Sequence, residues 1–203
     1  MDDAVEHKLC LRVGEDGGIA VRDVYKRQAL ERLAIPYAVV GSVASSARGS
    51  YRATEDIDVL ARISPLQAGQ LVDALGRDWY ADADQMRDAI AAGRAFNLIY
   101  IPFSQKVDVF PAKDDFCTAQ LERATRLHVA ALAGGVEYPV VSAEDIVLAK
   151  LQQYKAGGEV SERQWTDVLK VIRATPDMDW TYMGSWAARL GVNNLLARAK
   201  VES

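Results

Sequence analysis

Cysteine and histidine are scarce in this chain of 203 residues, which carries two of each. Cys10 and Cys117 stand alone and form no CxxC pair, which excludes a thiolate zinc site and a disulfide framework and suits a reducing compartment. There is no excess of positive charge. Lys and Arg number 24 against 28 Asp and Glu, giving a net charge of −4 and a pI near 5.3. A nucleic-acid partner would therefore need a local basic patch, since no global field attracts one. Long apolar runs are missing too, as is a charged-then-apolar leader, so the expected location is the cytoplasm, with no membrane contact. No internal repeat or low-complexity stretch is present.

What remains is an ordinary globular composition, 50% hydrophobic and 26% charged. The length suits one α/β domain with a short helical appendage and is too small for two full domains. Asp23 to Gln28 reads like a translated transposase sequencing-adapter end, so residues 1–28 are set apart as an N-terminal segment of doubtful origin and given no function. The core is expected over 29–140, followed by a helical segment over 141–203 packed on it.

Weak helical spacing over 24–34 ends at Ile35-Pro36, because proline disfavours helix in the residue before it. Tyr37-Ala38-Val39-Val40 reads as a buried strand that stops at Gly41-Ser42, with a helix beginning in the small residues Val43 to Ala47. Asp56-Ile57-Asp58-Val59-Leu60 alternates polar and apolar, the pattern of a second strand with both aspartates on one face. Ser64-Pro65 is a helix start, with serine as N-cap and proline at the first helical position. A surface helix is expected over 82–94. Strands follow at Phe96–Ile101 and Lys106–Phe110, joined by the turn Pro102–Gln105. Residues 111–140 predict a short helix and a strand pair around Gly134-Gly135. Ser142 starts a helix that Gly157-Gly158 ends. Ser161-Glu162-Arg163-Gln164 is a capping-box signature for another that Pro176 ends. Two short helices, around Trp180–Leu190 and Asn193–Val201, close the chain. Trp165, Trp180 and Trp186 fall on helix stripes, as core residues do.

Chemistry is concentrated in two places. The first is Gly41-Ser42, thirteen residues, then Asp56-Ile57-Asp58. A strand ending in Gly-Ser at a helix start offers free N–H groups and a hydroxyl to a phosphate, and the glycine admits close approach. Asp56 and Asp58 share a strand face roughly 6.5–7 Å apart. The second is Asp108, in Lys106-Val107-Asp108-Val109-Phe110, a strand with the same alternation. If the strands pair side by side, three carboxylates converge. Such a set suits Mg²⁺ or Mn²⁺, hard cations that take oxygen ligands from a few carboxylates plus substrate phosphates. Two such ions clamp the attacking oxygen and the leaving pyrophosphate in nucleotidyl transfer.

Gly-Ser, a spacer and Asp-x-Asp resemble the signature of the DNA polymerase β-like nucleotidyltransferase superfamily. Gly-Ser replaces the more usual Gly-Gly, and Asp108 stands where the third carboxylate is expected. Arg52-Ala53-Thr54-Glu55-Asp56 resembles the approach to that motif in AbiEii-type toxin nucleotidyltransferases. The stretch Gly157 to Trp165 is similar to compact bacterial nucleotidyltransferase-like proteins. The resemblance implies a minimal nucleotidyltransferase fold of the α/β (α+β) class, a small mixed sheet flanked by helices. It further implies Asp56, Asp58 and Asp108 as metal ligands and catalytic groups, with Asp108 also helping to activate the acceptor hydroxyl. Gly41 and Ser42 would hold the triphosphate, with Lys150 on the phosphates and Arg52 and Arg163 as secondary candidates for the same role. The implied reaction moves an NMP from an NTP to a hydroxyl on RNA (tRNA included), protein or a small molecule, in a toxin–antitoxin setting with a partner antitoxin. A nucleotide-binding module without turnover and an aminoglycoside-type adenylyltransferase are the alternatives. A tRNA-directed toxin predicts a basic face around Arg48, Arg52, Lys106, Lys150 and Lys155, and an antibiotic modifier an acidic one.

Overall fold

A computed structural model describes residues 27–48, 56–129, 132 and 136–203. Most of the N-terminal segment, and Arg52 with the residues around it, lie outside the described residues. Helix α1 (27–32) leads into β1 (Tyr37–Val40), α2 (Gly41–Ala47) and β2 (Ile57–Ala61). Then come α3 (Gln67–Leu75), β3 (Trp79–Tyr80), α4 (Ala83–Ala91), β4 (Phe96–Tyr100) and β5 (Gln105–Pro111). Next are α5 (Asp115–Arg123), β6 (Thr125–His128) and β7 (Glu137–Val140). Helices α6 (Ala143–Ala156), α7 (Glu162–Ala174), α8 (Trp180–Leu190) and α9 (Asn193–Glu202) form the C-terminal segment.

The strands make one mixed sheet in the order β3-β4-β5-β2-β1-β7-β6. β2 runs parallel to β5 and antiparallel to β1, and β1 runs parallel to β7. This is the expected α/β class, a mixed sheet flanked by helices. Alternation sets the two sheet faces. Ile57, Val59, Val107, Val109, Phe96 and Leu98 point into one continuous core, whereas Asp58, Asp108 and Asn97 point the other way.

The C-terminal helices are fixed by their caps and apolar stripes. Ser142 accepts from the Asp145 N–H and Ser161 from the Gln164 N–H, as their sequence signatures predict. Val147, Leu148 and Leu151 of α6 and Val168 and Val171 of α7 are fully buried, so this segment shares the core with the sheet. Trp165 is buried and Trp180 and Trp186 pack against the core, as helix-stripe residues should.

Three local differences have physical causes. Helix α3 begins at Gln67 instead of at Pro65. Its Gln67 side chain reaches back to accept from the Ser64 N–H at 3.0 Å, and Ser64 to Leu66 form the turn before it. Strand β2 begins one residue after Asp56. Two-residue β3 has no period long enough to register in a sequence and exists through pairing of Trp79 and Tyr80 with Tyr100 and Ile99.

Candidate active site

The site forms where β1 ends. Val40 pairs with Asp58 across the antiparallel ladder, and the chain then turns at Gly41, which adopts φ +65°. That turn lays the Gly41 backbone against the Asp58 carboxylate. A Cβ at position 41 would sit 2.0 Å from Asp58 Oδ2, a contact no side chain tolerates. Val40, the N-cap of α2, supplies no side-chain hydrogen bond to the first turn, whose N–H groups Gly41 and Ser42 begin.

On its other side Asp58 faces Asp108, its register partner on parallel β5. Neighbouring strands lie about 4.8 Å apart, so the two carboxylates stand side by side on the open face. Burial, then the charge of Asp108, then that of Asp56 push the Asp58 carboxyl up to about 6. Lys106 and Lys150 pull the other way. Asp56 itself is exposed, just ahead of β2. The arrangement is therefore a tight pair, Asp58 and Asp108, with Asp56 coupled to it by charge.

Lys106 and Lys150 bring positive charge to these carboxylates. Lys106, two residues before Asp108 on the same strand face, places its Nζ 2.9 Å from Asp108 Oδ2. That hydrogen bond holds its ammonium above the usual lysine range. Lys150 comes from α6, which packs against α2, and its charge reaches Asp58. Its Nζ lies 3.3 Å from Asp167 Oδ2 of α7, with both side chains less than 15% exposed. Arg163 lies exposed in the first turn of α7.

Gly41, Asp58 and Asp108 are thus brought together, with Lys150 in electrostatic range. Sequence reasoning gave Lys106 a place only in the basic face of a tRNA-directed toxin and gave Asp167 no site role. The signal for Lys106 was its i, i+2 spacing from Asp108. Asp167 had none, because its inward turn depends on how α7 crosses α6. His128 faces Glu137 across the β6–β7 hairpin at 3.8 Å, away from this cluster in the fold.

The pair fits a hard divalent cation. Two oxygen donors lie adjacent, one of them half-buried and made costly to ionise by burial and by its neighbours, so a cation would relieve that cost. Among the described residues no group of three or more His, Cys, Asp or Glu side chains could hold an ion together. Further ligands would come from substrate oxygens, the usual habit of Mg²⁺.

No family model matches the chain, and no curated protein sequence matches it. Solved structures similar to it are nucleotidyltransferases or nucleotidyltransferase-like. An antigenic nucleotidyltransferase-like protein from Paracoccidioides brasiliensis is 20% identical, over 88% of this chain and 89% of that one, with a TM-score of 0.49. The antibiotic-resistance factor ANT(2'')-Ia is 17% identical over 88% and 90%, with a TM-score of 0.43. The lincosamide antibiotic adenylyltransferase LnuA is 12% identical over 77% and 99%, with a TM-score of 0.42. None of these three is described as an AbiEii-type toxin. No helix among the described residues is long and apolar enough to cross a membrane.

Proposed function

We propose that the chain is a metal-dependent nucleotidyltransferase that moves an NMP from an NTP to an acceptor hydroxyl. The observation that carries this reading is the Asp58–Asp108 pair closed on one side by the Gly41 backbone. A phosphate chain can lie along the start of α2 only because position 41 has no side chain, and that same close approach sets it beside the carboxylates. Asp58 and Asp108, with Asp56 at the rim, would hold Mg²⁺ or Mn²⁺, which would neutralise charge on the phosphates and the leaving pyrophosphate.

The protein's own groups do the positioning. Gly41 and Ser42 hold the β- and γ-phosphates, and Lys150 adds charge from α6. Asp108 lies on the side of Asp58 away from Gly41, where the acceptor hydroxyl arrives. The hydroxyl oxygen attacks the α-phosphorus in line and a new P–O bond forms. The α–β bridging P–O bond breaks, and pyrophosphate leaves with the electron pair. The hydroxyl proton passes to an Asp108 carboxylate oxygen and on to water. Most of the rate advantage comes from orientation and charge neutralisation.

A tRNA-directed toxin with a partner antitoxin is less well supported, because two cations of the basic face it requires are committed elsewhere. Arg48 donates to the carbonyls of Val140 and Val141 and to Thr125 Oγ1, and Lys155 donates to the Gly191 carbonyl at 2.7 Å. The test uses purified protein, Mg²⁺ and each of the four NTPs labelled at the α-phosphate, with cell lysate as acceptor source. Label should move to an acceptor with the native protein and not with Asp58→Asn. Equal transfer by both proteins would overturn the assignment, and metal-dependent NTP binding without transfer would favour a non-catalytic nucleotide-binding module.

A further inference from the structure

The open sheet face does not end at Asp108. Across the next ladder Asp108 pairs with Asn97 of β4, Lys106 pairs with Ile99, and Ile99 pairs with Tyr80 of β3. Directly opposed residues of an antiparallel pair point the same way, with Cβ atoms about 4.5–5.5 Å apart. Asp58, Asp108 and Asn97 therefore form one row across three strands, and Asn97 lies one strand beyond the catalytic pair. There β3 has already ended, which leaves the edge of β4 open and α4 alongside it. A groove of about 370 Å³ occupies this place, lined by Tyr80, Gln85, Asp88, Arg94, Asn97 and Ile99 among others. That volume falls at the small end of sites that hold small organic ligands.

Its lining has a definite chemistry. Tyr80 is 56% exposed, an apolar ring in solvent at the groove wall. Asn97, Gln85, Asp88 and Arg94 are planar polar groups, and all four are exposed. Among the described residues Asp88 and Arg94 have no ion-pair partner. Planar amides, carboxylates and guanidinium groups offer paired donors or acceptors in a fixed fork, which matches vicinal hydroxyls. An exposed aromatic ring gives a flat surface for the C–H face of a sugar ring. A charge mixture of this kind, Asp82 and Asp88 against Arg94, does not offer the cationic track that a polynucleotide requires.

We propose that this groove is the acceptor site and that the acceptor is a small sugar or sugar-bearing molecule. The inference rests on the transfer reading for the word acceptor, while the groove's ligand class rests on its own lining. A ring seated on Tyr80 and held by Asn97 places a hydroxyl toward Asp108, on the side of Asp58 opposite Gly41. Donor and acceptor then approach from opposite directions, as in-line displacement requires. The sugar oxygen bonds to the α-phosphorus, pyrophosphate departs, and the products are a nucleoside–sugar phosphodiester, pyrophosphate and one proton.

The test is saturation-transfer NMR on the full chain with three probes: maltotriose, a glucosamine trisaccharide and a single-stranded RNA oligonucleotide. Mg²⁺-dependent NTP binding by the native protein is measured in parallel. The expected result is saturation of at least one sugar, weakened about tenfold or more in both Tyr80→Ala and Asn97→Ala, with no comparable RNA signal. Thermal melting confirms that the variants fold, and exposed Asn97 serves if Tyr80→Ala does not. Absence of any sugar signal at about 10 mM, sugar binding that a folded variant leaves unchanged, or binding of the RNA alone overturns the proposal. Sugar binding without NTP binding would sink the transfer reading and leave the groove's ligand class standing. NTP binding without sugar binding does the reverse.

Discussion

The backbone of Gly41 and the carboxylate of Asp58 occupy adjoining space, so that a Cβ on residue 41 would fall 2.0 Å from Asp58 Oδ2 and 2.8 Å from its Cγ. Gly41 also sits at φ +65°, where an L-residue is strained. Gly41→Ala should therefore cost on the order of 1–3 kcal/mol and displace the carboxylate. Transfer should fall by about a hundredfold or more, because an ångström of misplacement is that expensive in an oriented reaction. Denaturant unfolding and the labelled-NTP assay measure the two effects. A variant with native stability and activity would show that the contact is not there.

The raised Asp58 carboxyl predicts a pH dependence of stability in the metal-free protein. Its folded value of about 6 exceeds the ordinary 3.8, so between these values the folded state holds more proton than the unfolded state. The contribution of this group is full below about pH 3.8 and is lost as pH rises to about 6. Asp58→Asn removes that loss, so above pH 6 the metal-free variant should melt higher than the native protein while failing to transfer. Mg²⁺ should raise the native melting temperature more at pH 7.5 than at pH 5, and should leave the variant unmoved. Equal Mg²⁺ shifts in both proteins contradict the assignment of Asp58 as a ligand.

Lys150 and Asp167 form a nearly buried ion pair at 3.3 Å. Lys150→Met takes an ammonium away from a largely buried carboxylate and so should destabilise the fold as well as weaken NTP binding. Replacing both, Lys150→Met with Asp167→Leu, should recover stability, since an apolar pair of similar size substitutes for a buried ion pair. NTP affinity should stay about 10- to 100-fold lower, the worth of one charged hydrogen bond. Calorimetric titration with MgATP separates the cases. Restored affinity in the double variant would reduce Lys150 to a structural residue.

Much of this was legible in the chain, and the residues show why. β2 and β5 carry two-residue alternation, β1 is a short apolar run, and the serine caps Ser142 and Ser161 mark the starts of α6 and α7, so pattern and capping chemistry placed these elements. The Gly-Ser turn and the strand aspartates followed from spacing. The register between Asp58 and Asp108 did not, because parallel pairing of β2 with β5 is a tertiary choice with helices and strands intervening. Lys106 against Asp108 follows only once that face is known to be shared. The Asn97 row and the groove beside it depend on β3 stopping after two residues, a length below any periodic signal.

A buried polar network holds the C-terminal segment in place. Asp145, fully buried in the first turn of α6, accepts from Tyr182 Oη at 2.6 Å and from Ser142 Oγ at 3.0 Å. Arg123 lies over the Tyr182 ring at 3.9 Å and pairs with Glu144 at 3.4 Å. Tyr182→Phe leaves the Asp145 carboxylate short of a donor and should cost about 1–3 kcal/mol. The denaturant midpoint should drop with an unchanged slope, and MgATP affinity at 20 °C should stay native. A midpoint within error of the native one contradicts the network's role.

The central claim is that Asp58 and Asp108 hold a divalent ion together with the nucleotide. Mn²⁺ binding followed by electron paramagnetic resonance, with and without ATP, tests it most directly, because the free-ion signal falls as the ion is bound. The native protein should bind Mn²⁺ weakly alone and at least tenfold more tightly with ATP present, since phosphate oxygens complete the coordination. Asp58→Asn and Asp108→Asn should each abolish the ATP-dependent gain. Mn²⁺ binding that ignores ATP, or that survives in both variants, would contradict the account.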